Sequence, residues 1–266
     1  MALKTKVPTR QRIASVSRTS KPMQQHDRRM LVLQGCAQGA ATPATNGAAA
    51  RVLDKLGIQL LEAPAAGCCG AVSQHLAAPE EALTFARGNI DAWWPFIEQG
   101  VEAIVITASG CGIMVKDYGM LLAHDTAYAA KAQRVSELAR DISEVLAREP
   151  LPGRKIAARA QRVAFHSPCT LQHGLQLNGV VEGILTGAGF ELVEVADAHL
   201  CCGSAGTYSL LQPVLSQRML NNKLAALQRR QPDIIATANI GCQLQLAGRA
   251  DKPVKHWIEL LDEALN

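Results

Sequence analysis

"LGIQLLEAPAAGCCG" (Leu56 to Gly70) and "AGFELVEVADAHLCCG" (Ala188 to Gly203) are two copies of one pattern in a chain of 266 residues. Each runs from a glycine-marked turn through a short apolar segment into two adjacent cysteines and a glycine. The repeat extends outward from there. The eight cysteines fall at 36, 68, 69 and 111 and again at 169, 201, 202 and 242, with offsets of 133, 133, 133 and 131 residues. "RMLVLQGC" (Arg29 to Cys36) corresponds to "QRVAFHSPC" (Gln161 to Cys169), and "VEAIVITASGCG" (Val101 to Gly112) to "PDIIATANIGCQ" (Pro232 to Gln243). Cysteines kept only for packing would not hold such a register. A duplicated cysteine-based site accounts for it.

The segments around the cysteines read as alternating strands and helices. "MLVLQ" is a buried strand ending in a turn, "IQLLEAP" a second strand stopped by Pro64, and "EAIVITAS" a third. Between them, "NGAAARVLDKLG" reads as a helix capped by Asn46 and ended by Gly57. "PEEALTFARGNIDAWWPFIEQG" reads as a helix opened by Pro79, with Pro95 expected to kink or divide it. The second half follows the same order, with "VVEGILTGAG" and "LQPVLSQRMLNNKLAALQRR" as its helices. This alternation predicts an α/β fold of two repeated βαβ-type parallel-sheet modules related by internal duplication. The expected division is a flexible basic tail or linker remnant over 1–28, a first cysteine-rich module over 29–150 and a second over 151–266.

In every case the cysteines follow shortly after a strand. Strand C-terminal ends of an open parallel sheet share one edge, where ligands bind. Three segments of each half therefore converge: Cys36, Cys68–Cys69 and Cys111 in the first, Cys169, Cys201–Cys202 and Cys242 in the second.

Composition excludes several classes. Hydrophobic residues make up 48% of the chain and charged residues 19%, enough for a large core, and no apolar run approaches a spanning helix. Residues 1–29 carry eight Lys or Arg against Asp27 alone, a balance of +7. With few aromatics and no recognition motif, nucleic acid is not the expected partner of this basic segment. It has no apolar core of the kind a secretory signal needs, and an Arg-rich transit peptide is the second reading. Without a secretory context, eight cysteines read as metal ligands or reactive groups rather than a disulfide framework.

Four sulfurs per site suit a tetrahedral zinc or an iron–sulfur cluster. Zinc sites usually use short C-x₂₋₄-C knuckles, which this sequence lacks, whereas adjacent cysteines can reach two different irons of a larger core. Glycines beside the cysteines (Gly35, Gly67, Gly70, Gly110, Gly112, Gly203 and Gly241) let the backbone approach such a core. The expected ligands are Cys36, Cys68, Cys69, Cys111, Cys169, Cys201, Cys202 and Cys242, the expected cofactor an iron–sulfur cluster, and zinc the alternative. His166, His173 and His199 lie near cysteines; a supporting role for each is weighed against an ordinary loop or packing role. The first half has Leu33 where the second has His166, and Lys116, Asp117 and Tyr118 follow Cys111 without counterparts after Cys242, so the two sites are not chemically equivalent. Trp93, Trp94 and Phe96 read as core, and "VKHWIELLDEAL" as a helix closing the second sheet. No G-x-G-x-x-G or P-loop is present, so no nucleotide site is expected.

C-x₃₁-C-C-G followed some forty residues later by G-C resembles the cysteine-rich CCG domain, found in tandem in heterodisulfide reductases and in iron–sulfur subunits of glycolate and lactate oxidation systems. "KVPTR", "NIDAWWPFIEQGVEAIVITASGCGIMVKDYG", "FHSPCTLQHG", "HLCCGSAGTYSLLQP" and "ANIGCQLQL" are similar to the glycolate oxidase (glycolate dehydrogenase) iron–sulfur subunits over essentially the whole chain. The resemblance implies an electron-transfer subunit, with a [4Fe-4S]-type cluster on the cysteines, flavin (FAD) only on partner subunits, and quinone downstream. It further implies a cytoplasmic chain, peripheral to the membrane at most and inactive in isolation.

Two departures stand out. That family's N-terminal ferredoxin-like segment, with two C-x₂-C-x₂-C-x₃-C-P runs, has no match in this sequence, so a separate ferredoxin-like chain is a further expected partner and "MALKTKVPTR" reads as a linker remnant. The heterodisulfide reductase pattern ends each site in C-x-x-C, whereas Cys111 and Cys242 stand alone, favouring four-cysteine sites. The other readings are a zinc-binding assembly subunit, a lactate-oxidation or heterodisulfide-reductase-like subunit, and thiol–disulfide chemistry at the adjacent pairs.

Overall fold

The computed structural model describes residues 25–151 and 161–266. Most of the basic segment, "KVPTR" included, and the start of the second expected module lie outside those residues.

Two four-stranded sheets of the same design form the frame. The first contains β1 (Arg28–Val32), β2 (Ile58–Glu62), β3 (Ile104–Ile106) and β4 (Ala139–Asp141), in the order β2-β1-β3-β4. The second contains β5 (Arg162–His166), β6 (Glu191–Leu192), β7 (Ile234–Thr237) and β8 (Val254–His256), in the order β6-β5-β7-β8. All neighbouring strands are parallel; Met30 pairs with Leu60 and Val32 with Val105, while Val163 pairs with Leu192 and with Ile234. β3 and β7 are buried along their whole length, as strands covered on both faces must be. The α/β duplication expected from the cysteine spacing is therefore the observed fold.

The strand order has a functional consequence. Successive strands run outward from β1 to β2, then return to place β3 on its other side. That reversal leaves a crevice between the ends of β1 and β3, and likewise between β5 and β7, the customary ligand position in open α/β sheets.

The two halves share one core. Met30, Val32, Val52 and Leu60 of the first half lie in the same apolar cluster as Val163, Phe165, Leu185 and Trp257 of the second. The helix Ala44–Lys55 packs on Trp257–Leu265, and Ile142–Leu146 on Val180–Gly187, so corresponding elements exchange roles across the interface. The C-terminal helix, expected to close the second sheet, instead wedges between the halves, with Trp257, Leu260 and Leu261 fully buried.

Other local expectations are corrected. Pro95 does not divide its helix, which runs unbroken over Pro79–Glu98. Pro95 sits in the last turn, where buried Trp93 and partly buried Phe96 anchor the backbone on both sides. Trp94 is only half-buried, its Nε1 donating to Glu98. Asn46 is not a helix cap, because the helix starts at Ala44. Its side chain instead accepts from Gln38 Nε2 at 2.9 Å and Thr107 Oγ1 at 2.6 Å, tying the loop after β1 to the end of β3.

Candidate metal centres

The first quartet assembles from two helix starts and one loop. Gly35, at φ 70°, turns the chain after β1 so that Cys36 opens the helix Cys36–Ala41. Cys111 is the third residue of the helix Ser109–Lys116, just past β3. Cys68 and Cys69 lie between them on the loop after β2. In the second half, Cys169 follows β5, Cys201 and Cys202 follow β6, and Cys242 is the third residue of the helix Ile240–Ala247 after β7. Helix N-termini carry partial positive charge and free N–H groups, which favour thiolates there.

Within each quartet the sulfurs are neighbours in a row. Cys36 Sγ lies 3.4 Å from Cys68 Sγ, and hydrogen-bonding contacts continue from Cys68 to Cys69 and from Cys69 to Cys111. The second run passes from Cys169 to Cys201, Cys202 and Cys242 in the same order. The structure thus brings together all eight cysteines singled out in the sequence, four and four. None is in a disulfide.

The glycine after each pair is required twice over. Gly70 and Gly203 adopt left-handed φ values of 87° and 85°, which side chains disfavour. A Cβ on Gly70 would sit 3.0 Å from Ala82 O, and one on Gly203 only 2.5 Å from Ser216 O. The left-handed turn also aims the backbone N–H back at the first sulfur of the pair: Gly70 N lies 3.4 Å from Cys68 Sγ, and Gly203 N 3.3 Å from Cys201 Sγ. Such N–H···S bonds stabilise thiolate and tune a bound metal.

The loops are held from behind by buried side chains. In the first half, Asn89 accepts from Gly67 N and donates to Cys68 O, both at 2.8 Å, and Tyr118 Oη donates to Cys69 O at 2.8 Å. At the corresponding helix position of the second half, ten residues past the opening proline, stands Lys223. It is fully buried, and its Nζ donates to Ala198 O at 2.8 Å.

The two quartets differ electrostatically. Burial, then contact with Cys68, pushes the Cys36 thiol up; contact with Cys69 raises Cys68, and contact with Cys111 raises Cys69 to about 12. In the second quartet, contact with Cys201 raises both Cys169 and Cys202, while contact with Cys169 and Cys202 lowers Cys201. Cys242 falls to about 5, chiefly through contact with Cys202. Burial lowers the Lys223 ammonium, and the four neighbouring sulfurs oppose that shift.

The histidines separate cleanly. His173 and His199 are exposed, whereas His166, at the end of β5, is fully buried, with its ring among Cys202 and Cys242. Lys116 turns away to pair with Glu144.

Sequence reasoning missed Asn89, Lys223 and Asn239. Asn239 accepts from Gly110 N at 3.2 Å and donates to Cys242 at 3.7 Å, bridging the two halves beside both quartets. Lys223 was discoverable, because it falls on the apolar stripe formed by Leu220, Leu224 and Leu227 of its helix. No comparable signal marks Asn239.

The donor chemistry fits a metal centre. Four sulfurs gathered along one sheet edge suit a tetrahedral ion or an iron–sulfur core, in either case once the sulfurs converge on it.

Comparison with known proteins bears on the choice. The CCG family model, a cysteine-rich domain, matches residues 30–116 and 163–247. The chain is 54% identical over 94% of its length to the glycolate oxidase iron-sulfur subunit of Escherichia coli, covering 61% of that protein. It is 30% identical over 82% of its length to a probable glycolate oxidase iron-sulfur subunit of Bacillus subtilis, covering 49% of it. With lactate utilization protein A of Anoxybacillus flavithermus it shares 26% identity over 81% of this chain and 91% of that one. The chain thus spans about half to three fifths of the glycolate oxidase relatives. A solved structure of a hypothetical protein from Helicobacter pylori shares the fold, with a TM-score of 0.66 at 9% identity over 91% of this chain and 50% of that one.

Proposed function

The chain belongs to the cysteine-rich CCG domain family, which it carries twice, and from that premise we propose that it is the electron-carrying iron–sulfur subunit of a flavin-dependent glycolate oxidase or dehydrogenase. The observation that carries the reading is the row of four neighbouring sulfurs in each half, with a glycine N–H aimed at the first sulfur of each adjacent pair. In this reading the two modules meet at residue 150/151. Cys36, Cys68, Cys69 and Cys111 hold one centre, and Cys169, Cys201, Cys202 and Cys242 the other.

An iron–sulfur cluster of [4Fe-4S] type, when bound, accepts and releases single electrons. The chain supplies the thiolates, the N–H···S bonds that stabilise their charge and, in the second half, the Lys223 ammonium. Burial of Cys69, Cys202 and Cys242 limits water at the inner side of each site. Catalysis of hydroxy-acid oxidation falls to a flavin-bearing partner, and electrons leave toward quinone. The chain works on the cytoplasmic side without spanning the bilayer; among the described residues no helix is long and apolar enough to cross a membrane.

The test is reduction by the partner. The anaerobically reconstituted chain, mixed with flavin-bearing glycolate oxidase subunits, should lose its visible absorbance on addition of glycolate. Full retention of that absorbance, with the flavin reduced, overturns the proposal. A second reading, two zinc sites in an assembly subunit, draws on the four sulfurs per half, the number a single tetrahedral ion takes. Zinc bound in place of iron would establish it.

A further inference from the structure

We propose that His166 is a ligand of the second centre, adding an imidazole nitrogen to its sulfurs, while the first centre is held by sulfur alone. The inference rests on the reading that the second quartet binds metal.

Three observations converge on His166. The side chain is fully buried, and neither Nδ1 nor Nε2 makes a hydrogen bond of ordinary length among the described residues, the ring acting instead on the Cys242 sulfur. An imidazole removed from water without partners is costly, and native structures rarely leave both nitrogens so unless a ligand completes them. The ring lies at the quartet: a nitrogen of His166 and the sulfurs of Cys202 and Cys242 all lie within 4.8 Å of one another. The polar surroundings are unsatisfied too. Thr237, the register partner of His166 on β7, carries a buried hydroxyl without a partner, and so does Ser167. Metal-bound imidazoles usually donate their second nitrogen to such an oxygen.

The first half lacks all of this. Leu33 occupies the corresponding place and is buried in the apolar core beside Ile106. Ile106, the counterpart of Thr237, is a buried core residue with no hydroxyl to offer. The difference is therefore built into the fold rather than into one rotamer.

A neutral imidazole adds no negative charge to the second centre, and buried Lys223 sets a positive charge beside it that the first centre lacks, which raises its reduction potential above that of the first. The second centre is accordingly the electron acceptor within the chain and the first the donor.

The experiment uses the full chain, reconstituted anaerobically with iron and sulfide and labelled with ¹⁵N-histidine, and reads pulsed-EPR hyperfine couplings of the reduced protein. Wild type should show a directly bonded histidine nitrogen. His166→Leu, which copies the first half, should lose that coupling and shift one midpoint potential, whereas His173→Leu should keep both. An iron-loaded wild type without histidine coupling, or coupling that survives His166→Leu, overturns the inference. Failure to take up iron would instead defeat the iron–sulfur reading, and Co(II) alone then probes the donor set. His166→Leu, checked for folding by circular dichroism, should weaken one of two cobalt sites at least tenfold and change its ligand-field absorption. Superimposable cobalt titrations, or no cobalt binding, overturn the inference.

Discussion

Asn239 Nδ2 lies 3.7 Å from Cys242 Sγ, and its Oδ1 accepts from Gly110 N at 3.2 Å, next to Cys111. One side chain thus spans the two metal-binding edges. Its neighbours reinforce the contact: Ser109 N donates to Ala238 O, and Ser109 Oγ lies 2.7 Å from Thr170 Oγ1. Asn239→Ala removes two hydrogen bonds at a half-buried junction and should cost about 1–3 kcal/mol. Chemical denaturation of the metal-free chain would measure it, and reduced magnetic interaction between the loaded centres would accompany it.

The glycines of the two pairs make a graded prediction. Gly70→Ala and Gly203→Ala both force alanine into left-handed backbone, a cost of roughly 1–2 kcal/mol. The second also drives Cβ to 2.5 Å from a backbone oxygen, against 3.0 Å for the first. Gly203→Ala should therefore destabilise the chain more and lose metal at its own centre more completely. Thermal unfolding and metal content of the two variants provide the ranking.

Lys223→Met keeps most of the side-chain volume but removes the charge facing the second quartet. Without that ammonium the thiolates lose their compensating cation, so the reduction potential of the second centre should fall, an effect of order 1–2 kcal/mol. The matched change Asn89→Met in the first half removes hydrogen bonds but no charge. It should loosen the Cys68 loop and leave the potential of the second centre unchanged. Redox titration followed by EPR separates the two.

His256 predicts a pH dependence of stability. The ring is fully buried; its Nε2 lies 2.8 Å from Thr107 O across the interface, and its Nδ1 accepts from Ile258 N. These bonds require the neutral ring, and burial lowers its pKa from 6.5 to about 4. The folded state therefore binds fewer protons than the unfolded one across that interval. The stability His256 contributes is complete above pH 6.5 and is lost as pH falls toward 4, about 3 kcal/mol in all. Asp141 opposes it, because burial raises its carboxyl to about 6, so its contribution is lost as pH rises from 3.8 to 6. Wild type should accordingly show a shallow profile over this interval, and His256→Gln a stability that declines with rising pH. Urea unfolding at half-unit steps between pH 4 and 7 checks the difference.

The duplication, the parallel α/β sheets and the meeting of each set of cysteines were legible because each rests on spacing along the chain. A repeat offset survives folding, and strand ends of a parallel sheet must share an edge. β4 and β8 were not legible. They are three residues long, and "ARD" and "VKH" carry no apolar run that marks a strand. Asn46 read as a cap because its residue type suits one, while its actual partners, Gln38 and Thr107, come from separate elements. Asn239 and the isolation of His166 depend on packing between segments far apart in sequence, which no local pattern reports.

The central claim is that each half grips its own metal centre through four sulfurs. The most direct measurement is iron, sulfide and zinc per chain after anaerobic reconstitution, for wild type, Cys69→Ser and Cys202→Ser. The account predicts iron with matching sulfide in wild type and loss of about half in each single variant, because each serine breaks one quartet and spares the other. Wild type without bound iron, or iron content unchanged by either substitution, would contradict it.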